Sequence, residues 1–240
     1  MAKKVSREKI RYGLKHDEFV ETAFDIGTWI EENWKKVATG VGAIVVIGLA
    51  VMAFLSWRSH RLEEASRLFG EGFVIYDEAS RESGLDALGL ETDRSAKYDE
   101  ALTKFDEAKS KAGSTRLADV AEMYRGIVLL KSGNASEAVP ILEEITAGGV
   151  EPLLAGTARA NLAEAYAATG RKDQAIEQWK KIADDPESYF PADIALLNAG
   201  RMLEAQGRTD ESRQALRDLI DRFPESQAAS TARELLGEAP

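Results

Sequence analysis

Twenty consecutive residues without a charge, Val37–Ser56 (VATGVGAIVVIGLAVMAFLS), constrain this chain more than any other feature. At about 1.5 Å of rise per residue, a helix over that stretch reaches roughly 30 Å, the thickness of one bilayer hydrocarbon core. Ten of its residues are Val, Ile, Leu or Phe. They favour insertion by roughly 3 to 6 kcal/mol, from which three glycines and two hydroxyl residues subtract. Trp34 and Trp57 stand just outside the two ends, where an indole prefers the headgroup level, and Lys35, Lys36, Arg58 and Arg61 can reach outward to phosphates. A buried core helix is the competing reading, but such helices seldom run this long without a polar face. The stretch is therefore read as one membrane-spanning helix.

The span divides the chain into a tail (1–36), an anchor (37–56) and a body (57–240) long enough for a real core. A cleaved secretory signal does not fit, because 36 residues of mixed charge precede an apolar run longer than a signal core. The tail holds eight Lys/Arg, which predicts that it stays on the cytoplasmic side of the membrane and that the body lies on the far side. Of 31 basic and 41 acidic residues, the body keeps 23 and 34, a net charge of −11. Such a body repels phosphate backbones, so nucleic acid is excluded as a partner, whereas basic or apolar protein segments are not. The absence of cysteine rules out disulfides, thiolate metal sites and a lipid-modified precursor.

Met1–Lys15 is polar and basic without an apolar period, and reads as a disordered tip. From Asp17, Val20, Ala23, Gly27, Ile30 and Trp34 recur at helical spacing, which predicts an amphipathic helix leading into the span. After the span, Arg58–Ala79 keeps apolar positions at Leu62, Ala65, Leu68, Phe69, Phe73 and Tyr76, so helix continues into the body. Ser80–Asp93 interrupts it. A further helix from Ser95 shows Tyr98, Ala101, Leu102, Phe105 and Ala108 on one face.

The remainder carries an internal repeat. Gly133, Gly170 and Gly207 are each 37 residues apart, and each is followed by a turn and a helix start. Seven residues before each glycine stand Gly126, Ala163 and Gly200, all small; four before stand Leu129, Tyr166 and Leu203, all large. Five after come Ala138, Ala175 and Ser212; nine after come Leu142, Trp179 and Leu216; twelve after come Ile145, Ile182 and Leu219. Small residues let two antiparallel helices approach closely, and the large ones fill the space between pairs.

At these residues the chain resembles the tetratricopeptide repeat, with Pro186 and Pro224 in the place of its late proline. The pattern is weaker in Leu117–Thr146, where Glu122 and Arg125 fall on core positions, Pro140 must sit early in its helix and a register slip of one has room. A first unit is expected with Phe69, Gly70 and Phe73 answered by Ala101, Phe105 and Ala108, with Ser80–Asp93 as an insertion. Ser226–Leu236 should cover the open end. The predicted fold class is all-α: one transmembrane helix followed by a tetratricopeptide-repeat-like α-solenoid.

His16 and His60 have no metal-ligand partner at helical spacing, and phosphate-binding glycine loops and nucleophile elbows are missing. No enzyme, cofactor, metal or small-molecule substrate is predicted. The acidic pairs Glu143-Glu144 and Asp184-Asp185 read as solvated helix surface, and Trp179 as core because its repeat column holds leucine elsewhere. In such folds the first helices of successive pairs line the concave side. The positions that the repeat pattern places there are Ala160, Glu164, Ala168, Leu197, Arg201 and Glu204, a mildly apolar strip suited to an extended peptide or a helix.

Taken whole, the arrangement resembles the YfgM-type ancillary subunits of the bacterial SecYEG translocon. The likeness runs from about Phe19 to the end and is densest in Trp29–Phe69, with Trp29 and Trp34 before the span, SWRSH after it, and Ala65 and Phe69 beyond. The long basic tip before Asp17 departs from that pattern. The resemblance implies a single-pass scaffold linking the translocon with periplasmic chaperones or emerging chains. Two other roles suit the same residues: an envelope scaffold for cell division or outer-membrane assembly, and the non-catalytic partner subunit of an enzyme.

Overall fold

The computed structural model describes residues 29–83, 94–148 and 151–238. The tip and most of the amphipathic segment before the span, the expected 80–93 insertion from residue 84 onward, and residues 149–150 lie outside them. Among the described residues every regular element is a helix: α1 (Trp34–Ser83), α2 (Ser95–Ala112), α3 (Arg116–Lys131), α4 (Ala135–Ala147), α5 (Pro152–Ala168), α6 (Lys172–Asp184), α7 (Ala192–Ala205), α8 (Thr209–Arg222) and α9 (Gln227–Leu236). The chain divides into two units, Met1–Ser59 and His60–Pro240.

The described part of the first unit is dominated by the apolar half of α1. It is long and apolar enough to cross a membrane, by length and composition. Its large side chains face outward, Ile44 at 70% exposure, and a Cβ built at Gly40, Gly42 or Gly48 would meet nothing within 4 Å beyond the helix's own backbone.

In the second unit, consecutive helices pack as pairs. The remainder of α1 pairs with α2, α3 with α4, α5 with α6 and α7 with α8, while α9 lies on α8 and α7. Three of the turns inside pairs are closed by the same device. Gly133, Gly170 and Gly207 have φ of +89°, +80° and +73°, and the amide beyond each donates back five residues: Asn134 to Leu129, Arg171 to Tyr166, Arg208 to Leu203, at 2.7–3.0 Å. These are Schellman caps, which favour glycine because an L side chain crowds the carbonyl in the left-handed region. A fourth closes α9 at Gly237, and its other end is capped by Ser226, whose Oγ accepts from the Ala229 amide at 3.0 Å.

Within each pair the small residue of the first helix faces the large residue of the second. A Cβ at Gly126 would stand 3.0 Å from Leu142 Cδ2, and one at Gly200 would stand 2.7 Å from Leu216 Cδ2. Ala163 and Trp179 hold the same columns and are both buried. Because Gly126 meets Leu142 as Gly200 meets Leu216, the α3–α4 pair keeps the common register without a slip. Its two misplaced charges are paired instead: Glu122 lies 3.0 Å from Lys109 Nζ and 3.2 Å from Arg125 Nη1, and Arg125 reaches Asp106 at 2.9 Å.

The first pair differs from expectation in one glycine. Gly72 takes the close contact, with a Cβ there 3.0 Å from Lys104 Cβ and 3.2 Å from Phe105, whereas Gly70 has nothing within 4 Å. The buried stripe of α1 is Ala65, Leu68, Gly72 and Ala79, steps of three, four and seven that hold one helix face. Lys104 to Glu71 and Lys111 to Glu64, each 2.8 Å, border that stripe and hold both carboxyls below the usual range, chiefly through the lysine hydrogen bonds.

Candidate protein-binding face

The outward surfaces of α3, α5 and α7 carry the residues left over once each helix is packed against its own partner and the next pair. Ala160 and Leu197, two of the three apolar residues in the strip predicted from the repeat pattern, are 4% and 7% exposed and belong to the core that runs from α3 to α9. They cannot line a groove. Glu164, Ala168, Arg201 and Glu204 are exposed. The open stripe thus passes one residue beyond each of these buried positions: half-buried Asn161 with exposed Glu164 and Ala168 on α5, then half-buried Asn198 with exposed Arg201 and Ala205 on α7. Asn161 and Asn198 are one repeat apart, a spacing of 37 that the sequence itself displays beside the small and large columns. The Asn161 amide donates to the Thr157 carbonyl at 2.8 Å.

The same column in α3 holds Tyr124, and here the face changes character. The Tyr124 ring lies 5.5 Å from Phe69, 5.5 Å from Phe73, 6.1 Å from Tyr76 and 5.7 Å from Phe105, mostly edge to face. Phe105 is sealed beneath while Phe73 keeps 39% of its surface in solvent. Burial, with Tyr76 as a lesser contributor, pushes the Tyr124 phenol upward in pKa. Between the aromatic and amide ends, Lys131 Nζ bridges to Glu164 at 2.7 Å, tying α3 to α5 across the surface.

Among the described residues, no three His, Asp or Glu side chains come together in a way that could hold a metal ion. The stripe offers apolar edges, amides capable of both donating and accepting, and isolated charges, which is the chemistry of contact with another polypeptide.

Residues 28–236 match the model of the tetratricopeptide repeat-like domain, and the chain belongs to that family. Its fold and family are those of a protein-interaction scaffold. Solved structures agree on the fold. A tetratricopeptide repeat protein from Parabacteroides merdae aligns with TM-score 0.55 at 14% identity, over 72% of this chain and 59% of that one. Nearly identical TPR-like repeats of a putative kinesin light chain from Podosopora anserina align with TM-score 0.52 at 14% identity, over 72% and 88%. YrrB, a TPR protein with an unusual peptide-binding site, aligns at TM-score 0.46 and 21% identity, over 57% of this chain and 66% of YrrB. The chain thus spans less than two thirds of the Parabacteroides and YrrB chains. No curated protein matches the sequence.

Proposed function

We propose that the chain is a membrane-anchored adaptor in a bacterial inner membrane, with residues 1–36 in the cytoplasm, 37–56 as the anchor and the repeats in the periplasm, where it links the Sec translocon to periplasmic chaperones or emerging chains. The observation that carries the reading is the union, in one chain, of an uncharged 20-residue helical stretch with repeats of a protein-binding family. The translocon rests on the resemblance of Trp29–Phe69 to the YfgM-type subunits. Along the open stripe, Asn161 and Asn198 offer amides to the main chain of an extended segment, and Phe73 with Tyr124 offers an apolar seat for a large side chain.

Photo-crosslinkers at Ile44 and Asn198 test this in cells. Ile44 is expected to capture translocon subunits, and Asn198 soluble chaperones or emerging chains. Lipid or self adducts alone at Ile44, together with a cell-division or outer-membrane assembly factor at Asn198, would overturn the translocon reading and install the envelope scaffold in its place.

A further inference from the structure

Between α6 and α7 the chain passes from one pair to the next through the seven residues Asp185–Pro191, whereas the crossings from α2 to α3 and from α4 to α5 take three and four. This longer segment is fastened at several points. The Phe190 ring lies 5.8 Å from Trp179, and the Asp185 carboxylate pairs with Arg159 at 3.3 Å and accepts from the Glu187 amide at 3.0 Å. A Cβ at position 156 would stand 2.5 Å from Ser188 Oγ and 2.8 Å from Phe190 Cβ, so the segment lies on α5 only because residue 156 is glycine.

In the middle of this fastened segment Tyr189 stands 70% exposed. Leu153, one turn before Gly156 on α5, is 54% exposed, and Ile194, in the first turn of α7, is 38% exposed. A connection needs no large apolar group at such positions, and one carried on a fastened backbone costs less to order in a contact. Beside Tyr189 and Ile194 in the chain stand two carboxylates, Glu187 and Asp193, that pair with no cation among the described residues. Asp184, Glu187 and Asp193 are the local carboxylates beyond Asp185, and Asp184 reaches a cation only at 3.8 Å, in Arg222. Of the nearby cations, Arg159 is neutralised by Asp185 and Lys181 by Glu177 at 2.7 Å, while Lys180 stands beside them on α6, next to Asp184 rather than to Glu187 or Asp193.

We propose that Tyr189, Leu153 and Ile194 form a second docking surface, distinct from the α5–α7 stripe, for a protein segment that carries an apolar or aromatic side chain flanked by lysine or arginine. Charge complementarity selects the occupant. The carboxylate rim repels anionic headgroups, and a second copy would bring the same carboxylates, whereas a basic-flanked segment neutralises the rim while its apolar group covers Tyr189.

The test uses the full chain in phosphatidylcholine nanodiscs, with empty nanodiscs as blank, and a fluorescein-labelled peptide of phenylalanine and lysine spaced by glycine and serine. Matched peptides replace lysine by glutamate or phenylalanine by serine. Saturable anisotropy is expected with the lysine–phenylalanine peptide alone. Tyr189→Ser with Leu153→Ser, and separately Glu187→Lys with Asp193→Lys, should each weaken it about tenfold or more. Asp99→Lys with Glu100→Lys, the same charge change on exposed α2, and Asn198→Ala on the stripe should leave it within about twofold. Far-ultraviolet melts confirm that each variant folds. The proposal is overturned if no peptide binds, if the glutamate peptide binds as well, if the α2 reversal weakens binding as much as the local one, or if sedimentation shows a dimer that Tyr189→Ser dissolves.

Discussion

Gly200 and Leu216 sit one against the other across the α7–α8 pair, so closely that a Cβ on the glycine would stand 2.7 Å from Leu216 Cδ2 and 2.9 Å from its Cγ. Beside them the Ser212 hydroxyl, itself buried, donates to the Gly200 carbonyl at 2.9 Å. The small residue sets the distance between the helices, the leucine fills the space this leaves, and the serine satisfies a polar atom on the glycine's own backbone.

Gly200→Ala is therefore expected to destabilise the chain by about 1 to 3 kcal/mol through overpacking, although alanine favours helix by about 1 kcal/mol at exposed sites. Leu216→Ala should cost about 2 to 5 kcal/mol by leaving a cavity. The double variant should cost less than the sum, because the new methyl enters space the leucine vacates. Urea unfolding of all four proteins measures the cycle; strict additivity would show that the two residues do not share that space.

Gly207 isolates the opposite cause. Its φ is +73° and nothing lies within 4 Å of a Cβ built there, so Gly207→Ala meets strain without a clash. The expected loss is about 1 to 2 kcal/mol. Gly207→Asn should recover part of it, since asparagine tolerates the left-handed region better. A loss in the alanine variant that Leu216→Ala relieves would contradict this account.

Tyr166 supplies a pH signature. Its phenol is pushed up to about 12, first by burial, then by the hydrogen bond it donates to Glu143 at 2.8 Å and by that carboxylate's charge. The folded state thus holds the phenolic proton more tightly than the unfolded chain does. The resulting stability is complete below the unfolded value near 10 and drains away as pH rises toward about 12. Tyr166→Phe should lose about 0.5 to 1.5 kcal/mol near neutrality and show a shallower alkaline decline. Denaturant midpoints across that range, with ultraviolet titration of the phenol, give the comparison; equal slopes for both proteins would refute the assignment.

Membrane orientation has a direct assay because the chain contains no cysteine. Single Ser6→Cys and Ser114→Cys variants, treated in intact spheroplasts with an impermeant thiol reagent, should be labelled at 114 and spared at 6. The reverse pattern would invert the proposed topology.

The 37-residue register was legible in the sequence because its signals are local. A left-handed cap asks for glycine at Gly133, Gly170 and Gly207, and a close helix approach asks for small residues seven before and five after, whatever surrounds them. The uncharged stretch at 37–56 was legible for the same reason, being a property of consecutive residues. Which side chains remain open was not. Successive helical residues differ by about 100° around the axis, so burying Ala160 and Leu197 against neighbouring elements hands the surface to Asn161 and Asn198, and only the rotation of each helix against the others decides that. The choice of Gly72 over Gly70, the gathering of Phe69, Phe73, Tyr76 and Phe105 around Tyr124, and the seating of Asp185–Pro191 on Gly156 depend likewise on contacts between elements distant in sequence. Sequence alone determined the spacing of the helices and their caps; tertiary packing decided which faces of those helices were left for a partner, because burial is settled between elements and not within them.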